Sequence, residues 1–113
     1  MTIEEFIVLF LSGRLTVRVC GDVPSPVPDS FVTVEQTGSS VENKIKSATI
    51  AVQSWALTRD QAAQLNALVE SVMDELNEEP EISSCELETS YNYTDMARKK
   101  PRYQAVFDVV YSI

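Results

Sequence analysis

The stretch TRDQAAQLNALVESVMDELNEEP, residues 58–80, decides how the rest of the chain is read. Thr58-x-x-Gln61 has capping-box spacing, which places a helix start at Thr58. Behind it Ala62, Leu65, Leu68, Val69, Val72, Met73 and Leu76 recur at steps of 3, 3, 1, 3, 1 and 3. That is one apolar face of an α-helix. Pro80 closes it, so a helix is expected over 58–78.

Working backwards, Lys44 to Trp55 reads as a long strand, with Ala48, Ile50 and Val52 on one face and Thr49, Ala51 and Gln53 on the other. Phe31 to Gln36 is a second strand of β-branched and aromatic residues, and Thr37-Gly38-Ser39-Ser40 between the two has the composition of a hairpin tip. The polar run Gln36–Glu42 cannot add core and is expected to order only upon assembly. Pro24, Pro26 and Pro28 force an extended loop, because three alternate prolines forbid helix and a paired central strand alike. Leu15, Val17 and Val19 alternate as a short strand. A first helix begins at Thr2-x-x-Glu5, repeats Ile3, Phe6, Ile7, Phe10 and Leu11 on one face, and stops at Gly13. Val8 and Leu9 widen that face beyond what one core contact consumes; burial within the fold is expected, and a sticky patch for a partner is the other reading.

Working forwards, Ile82–Tyr93 and Tyr103–Ile113 are two more strands, separated by Asp95–Pro101. The order is α-β-β-β-α-β-β. This predicts an α+β fold: a mostly antiparallel sheet of about five strands with both helices packed on one face. At 113 residues, 44% of them hydrophobic, the chain is a single domain, 1–113, with no internal repeat or linker.

Composition narrows the function. There is no histidine, which removes Ser-His-Asp chemistry and His-ligated zinc. The three glycines, Gly13, Gly21 and Gly38, never cluster around a phosphate. Cys20 and Cys85 have neither CxxC spacing nor a histidine to complete a metal site. They read as small buried hydrophobes in a reducing cytoplasm, with a disulfide left open. The apolar N-terminal stretch carries Glu4 and Glu5 where a signal peptide carries Lys or Arg, and it is too short to span a bilayer.

Acid pairs are plentiful: Glu4/Glu5, Asp74/Glu75, Glu78/Glu79 and Glu86/Glu88. They fall on helix faces, a helix C-terminus and a strand surface rather than in one cleft, so a solvated face is the preferred reading over an acid/base dyad. Ser25, Ser30, Ser39, Ser40, Ser83 and Ser84 lack a nucleophile context. Lys44 and Lys46 fit a strand edge better than a catalytic base. No catalytic, metal or cofactor-binding residues are assigned, and no enzyme is expected.

Charge is distributed unevenly. The formal net charge of −8 opposes general nucleic-acid binding. Eight of the 17 acidic residues lie between Glu70 and Glu88, including Asp74, Glu75, Glu78 and Glu79. Four of the nine bases lie in Arg98, Lys99, Lys100 and Arg102. The basic segment is a solvated turn, or a hairpin that meets another subunit's acidic face in a contact able to close into a ring. A phosphate-contacting tip is a third reading, opposed by the overall field.

Several runs resemble the tail terminator and tail-completion proteins of long-tailed phages and prophages. They are Val17–Pro24, Phe31–Gly38, Ala48–Ala56, Thr58–Ala63 and Arg102–Asp108, so the likeness extends over nearly the whole chain. These motifs are structural. The resemblance implies a small α+β subunit that forms a hexameric ring, caps the head-proximal end of the tail tube and joins it to the head connector. Its partners would be itself, the tail-tube protein and the head–tail connector protein, with no cofactor, small-molecule substrate or membrane. It would be made in the bacterial cytoplasm and end in the virion. Thr37, Gly38, Ser39, Ser40 and Val41 match the family's assembly loop, mobile in the free subunit and ordered in the ring. Head-completion and minor capsid adaptors are similarly small, and a monomeric acidic protein-binding module is the alternative from another class.

Overall fold

Thr58 opens the second helix as its spacing predicts. Its Oγ1 accepts the Gln61 backbone N–H at 3.1 Å, satisfying one of the orphan donors of a first turn. In the computed structural model, which describes residues 1–113, this helix (α2) runs Arg59–Asp74 and tightens into a 3-10 helix over Glu75–Glu78. Ala62, Val69, Val72, Met73 and Leu76 are buried. Leu68, expected on the same face, is instead 49% exposed, and Asn66 takes the buried place. Asn66 is held there because its Nδ2 donates to Glu70 Oε2 at 2.8 Å and Ser90 Oγ at 2.7 Å. The first helix (α1) spans Ile3–Ser12, with Thr2 Oγ1 accepting the Glu5 N–H at 3.1 Å.

The strands are β1 (Arg18–Cys20), β2 (Phe31–Glu42), β3 (Ile45–Trp55), β4 (Ile82–Asn92) and β5 (Arg102–Tyr111). They form one sheet in the order β1-β2-β3-β5-β4. Every pair is antiparallel except β1 with β2. The fold is α+β. Both helices lie on the face that carries Val32, Val34, Ile50, Val52, Ala105, Phe107 and Val109, and Ile7, Leu11 and Met73 fill the layer between. No helix is long and apolar enough to cross a membrane.

One expectation is overturned. Thr37, Gly38, Ser39, Ser40 and Val41 are not a loop: they belong to β2, and Gly38 to Val41 pair with Thr49 to Lys46 of β3. Thr37 is the extra residue of a bulge between Gln36 and Gly38. The tip lies further on, at Asn43 and Lys44, whose φ values are 52° and 66°. A two-residue hairpin turn that matches the strand twist needs positive φ at both central positions. Asn43 tolerates it, while no glycine in the chain adopts it, Gly38 included.

Candidate functional site

The basic end is the β4–β5 turn. Asp95 Oδ1 accepts the backbone N–H groups of Ala97 at 3.0 Å and Arg98 at 3.1 Å, and Asp95 Oδ2 pairs with Arg98 Nε at 3.2 Å. The Arg98 backbone N–H foremost, then that of Ala97 and the nearby Arg102 and Arg98 charges, holds the Asp95 carboxyl below its ordinary range. Backbone bonds between Asp95 and Lys100 close the turn at 3.3 Å in both directions.

The four bases are not equivalent. Arg98 and Lys99 are exposed; Lys100 is half-buried and donates from Nζ to Asp29 O at 3.4 Å. Arg102 is a structural residue. Its guanidinium lies between the Trp55 and Tyr93 rings, 4.6 and 4.3 Å from their centroids, and its Nε donates to Tyr93 O at 2.7 Å. Sequence grouped Arg102 with the tip because spacing along the chain does not show that two aromatic rings converge on it.

The acidic end lies where α2 gives way to β4. Asp74, Glu75 and Glu78 are exposed, and Glu79 accepts from Arg14 at 3.5 Å. Asn77 fastens this segment to the edge of the sheet: its Oδ1 accepts the Cys85 N–H at 2.8 Å and its Nδ2 donates to Cys85 O at 3.1 Å. The last turn of α2 contains no basic residue. Acids at this end meet the negative pole of the helix dipole, an unfavourable arrangement that a cation from outside would relieve.

The fold sets these two ends apart. β4 leads from the acidic segment to the basic turn, and its eleven residues at about 3.3 Å each span roughly 33 Å. α2 runs the opposite way, from the basic end to the acidic end: Ala56 N–H bonds to Pro101 O beside the basic turn, and Asn77 is tied to Cys85 at the far end. The helix dipole therefore adds to the separation of side-chain charge. Within one chain the two clusters do not meet. The molecule is elongated, 43 × 25 × 24 Å in extent, and Lys46, level with Ile82 across Tyr111, lies at the acidic end, where it offsets part of that charge.

The sheet face away from the helices holds a feature that the sequence did not reveal. Thr33, Gln53, Gln104 and Tyr91 lie directly opposite one another on β2, β3, β5 and β4. Thr33 Oγ1 donates to Gln53 Oε1 at 2.6 Å, Gln53 Nε2 to Gln104 Oε1 at 2.6 Å, and Gln104 Nε2 to the Tyr91 hydroxyl. Trp55 Nε1 donates to Thr33 Oγ1 at 3.0 Å, and the Trp55 ring stacks on Phe31 at 5.2 Å. A polar cavity of about 190 Å³ opens beside this rung, among Asp22, Glu35, Gln53, Trp55, Asp95 and Arg98. Its charges are mixed, Asp22, Glu35 and Asp95 against Arg98 and Arg102, with Asp95 bound to Arg98, and it favours no single ligand charge.

The remaining sequence candidates have local roles. Glu4 Oε2 accepts the Gln36 N–H at 2.9 Å on the outer side of β2, where β1 no longer reaches. Lys46 Nζ donates to Ile113 O at 3.2 Å. Ser40 and Ser47 share a hydrogen bond of 2.9 Å. Both cysteines are free; burial foremost, with nearby carboxylates, pushes the Cys85 thiol up to about 12.

α1 leaves apolar surface uncovered. Leu9 is 60% exposed, beside the partly buried Phe6 and Val8. The burial expected for the whole helix is achieved only on the side of Ile3, Ile7, Phe10 and Leu11, since one sheet contact covers one side of a helix. No protein-family model matches this chain, and no curated protein matches it.

Proposed function

We propose that this chain is a structural assembly subunit that joins copies of itself head to tail into a ring, in the role of a phage tail terminator. The observation that supports this most is the placement of Arg98 and Lys99 at one end of the β4–β5 ladder and of Asp74, Glu75 and Glu78 at the other. Unlike poles at opposite ends favour a heterologous contact, which closes into a ring when its rotation allows. The resemblance of the central strands and α2 to tail terminators supplies the biological setting: a virion protein at the head-proximal end of the tail tube, in contact with tube and head connector.

A single exposed ion pair contributes only about 0–1 kcal/mol. The poles in this account therefore set orientation and register, and apolar contact supplies most of the affinity.

The test is to add the purified chain to polymerising tail-tube protein of the same phage or prophage and measure tube lengths by electron microscopy. The account expects growth to stop, with a ring at one tube end. Tubes that lengthen as they do alone would overturn it. A second reading, a monomeric module that binds a basic protein, draws on the uncompensated C-terminus of α2 alone. It expects no self-association at any concentration.

A further inference from the structure

An apolar groove of about 430 Å³ lies beside the acidic end, with Phe6, Leu9, Phe10 and Ile113 along it and Glu79 and Glu81 among its polar walls. At the opposite end of the molecule, Met96 is 80% exposed, more than any other large apolar residue. It sits on a turn that Asp95 rigidifies, next to the exposed Arg98 and Lys99. An apolar knob with Arg98 and Lys99 beside it faces outward at one end; at the other opens an apolar groove whose polar walls are Glu79, Glu81 and Arg14, the last lying 3.7 Å over the Phe10 ring.

We propose that the groove of each copy is the seat of the Met96 turn of the next copy. This rests on the ring reading and assigns its contact surfaces. A turn held at the far end of β4 cannot reach the groove of its own chain, so the occupant is a second molecule. Met96 would enter beside Leu9 and the partly buried Phe6, where an unbranched thioether adapts to an irregular apolar surface. Arg98 and Lys99 would lie against Glu79 and Glu81 and near the exposed Glu75 and Glu78. Glu79 is engaged by Arg14 through one long contact of 3.5 Å, which leaves its carboxylate able to accept a further cation.

The obvious competitor is strand addition at the sheet edges, and both edges oppose it. β2 is bulged between Gln36 and Gly38, and β4 between Leu87 and Thr89. Glu4 occupies the Gln36 N–H on one edge, and Asn77 occupies Cys85 on the other. Bulges, edge charges and side-chain plugs are the features by which sheets resist edge-to-edge pairing.

The experiment uses two cysteine probes at the rims of the contact, Ser12→Cys one turn after Leu9 and Ala97→Cys next to Met96, each in the full chain carrying Cys20→Ser, so that Leu9 and Met96 themselves are kept. Both probe positions are exposed, so folding should be unaffected; Cys85 stays buried. The two variants are mixed and treated with a short bismaleimide, and cross-linking is read alongside sedimentation velocity of the unmodified chain. The proposal expects a dominant Ser12→Cys/Ala97→Cys heterodimer that weakens at high salt, and a ladder of oligomers when one chain carries both probes. Cross-links confined to one variant would overturn it in favour of a two-fold contact. An unmodified chain that assembles in a salt-sensitive way while the probes give no heterodimer overturns the groove assignment and leaves the ring reading standing. A monomeric chain with no heterodimer overturns both.

Discussion

Gln53 and Gln104 face each other across the central strand pair, with Gln53 Nε2 donating to Gln104 Oε1 at 2.6 Å, and both side chains are buried. They are the middle of a hydrogen-bonded rung that crosses β2, β3, β5 and β4 in one line. Each amide has partners on both sides, so removing one leaves its neighbours with buried, unpaired polar groups. Strand register is thereby tied to polar pairing on one face as well as to apolar packing on the other.

Gln53→Ala should destabilise the fold by about 1–3 kcal/mol, because the Thr33 hydroxyl and the Gln104 amide both lose a partner. Gln104→Ala should cost a similar amount. Together the two substitutions should cost less than their sum by more than about 0.5 kcal/mol, as expected of members of one network. Urea unfolding of the two single variants and the double variant measures this. Strict additivity would mean that the rung is not coupled.

Trp55 is 2% exposed, stacked on Phe31 and covered by Arg102. Trp55→Ala should cost about 3–5 kcal/mol. Trp55→Phe keeps most of the ring contact but loses the bond to Thr33, and should cost about 1 kcal/mol. Denaturant melts separate the two. A loss below 1 kcal/mol for the alanine variant would mean that the ring is not part of the packed second face.

The Asn43–Lys44 turn offers a stabilising change. Lys44 sits at φ 66°, a region that costs a side-chain-bearing residue about 1–2 kcal/mol and that glycine enters freely. Lys44→Gly should raise stability by about 1 kcal/mol, or about 4 °C in Tm. Thermal unfolding checks it, and an unchanged or lower Tm would contradict the turn assignment.

The sequence is most informative where a single periodicity is strong. α2 is legible from its apolar steps, its Thr58 cap and Pro80, and the α-β-β-β-α-β-β order follows from strands that alternate cleanly. The β2–β3 tip is not, because the far half of β2 is exposed on both faces and shows no alternation, while Gly38-Ser39-Ser40 has turn composition. What decides the turn is backbone dihedral, and Asn43 and Lys44 supply it. The polar rung is illegible in the sequence for a related reason. Thr33, Gln53 and Gln104 each read as outward polar positions, and only the three-dimensional register sets them opposite one another. Of the charged ends, the sequence shows two clusters, but not that β4 and α2 hold them at opposite ends or that Trp55 and Tyr93 take Arg102 out of the exposed set.

Sedimentation velocity of the chain and its Lys99→Glu variant, at low and high salt, is the direct test of head-to-tail assembly through unlike poles. A concentration-dependent shift is expected from the 12.6 kDa monomer to one discrete large species at low salt. That species should weaken at high salt, because added ions screen contacts between exposed charges. It should also weaken in the charge-reversed variant, whose circular dichroism and melting remain those of the folded chain. A chain that stays monomeric at every concentration, or an oligomer indifferent to both salt and charge reversal, would contradict it.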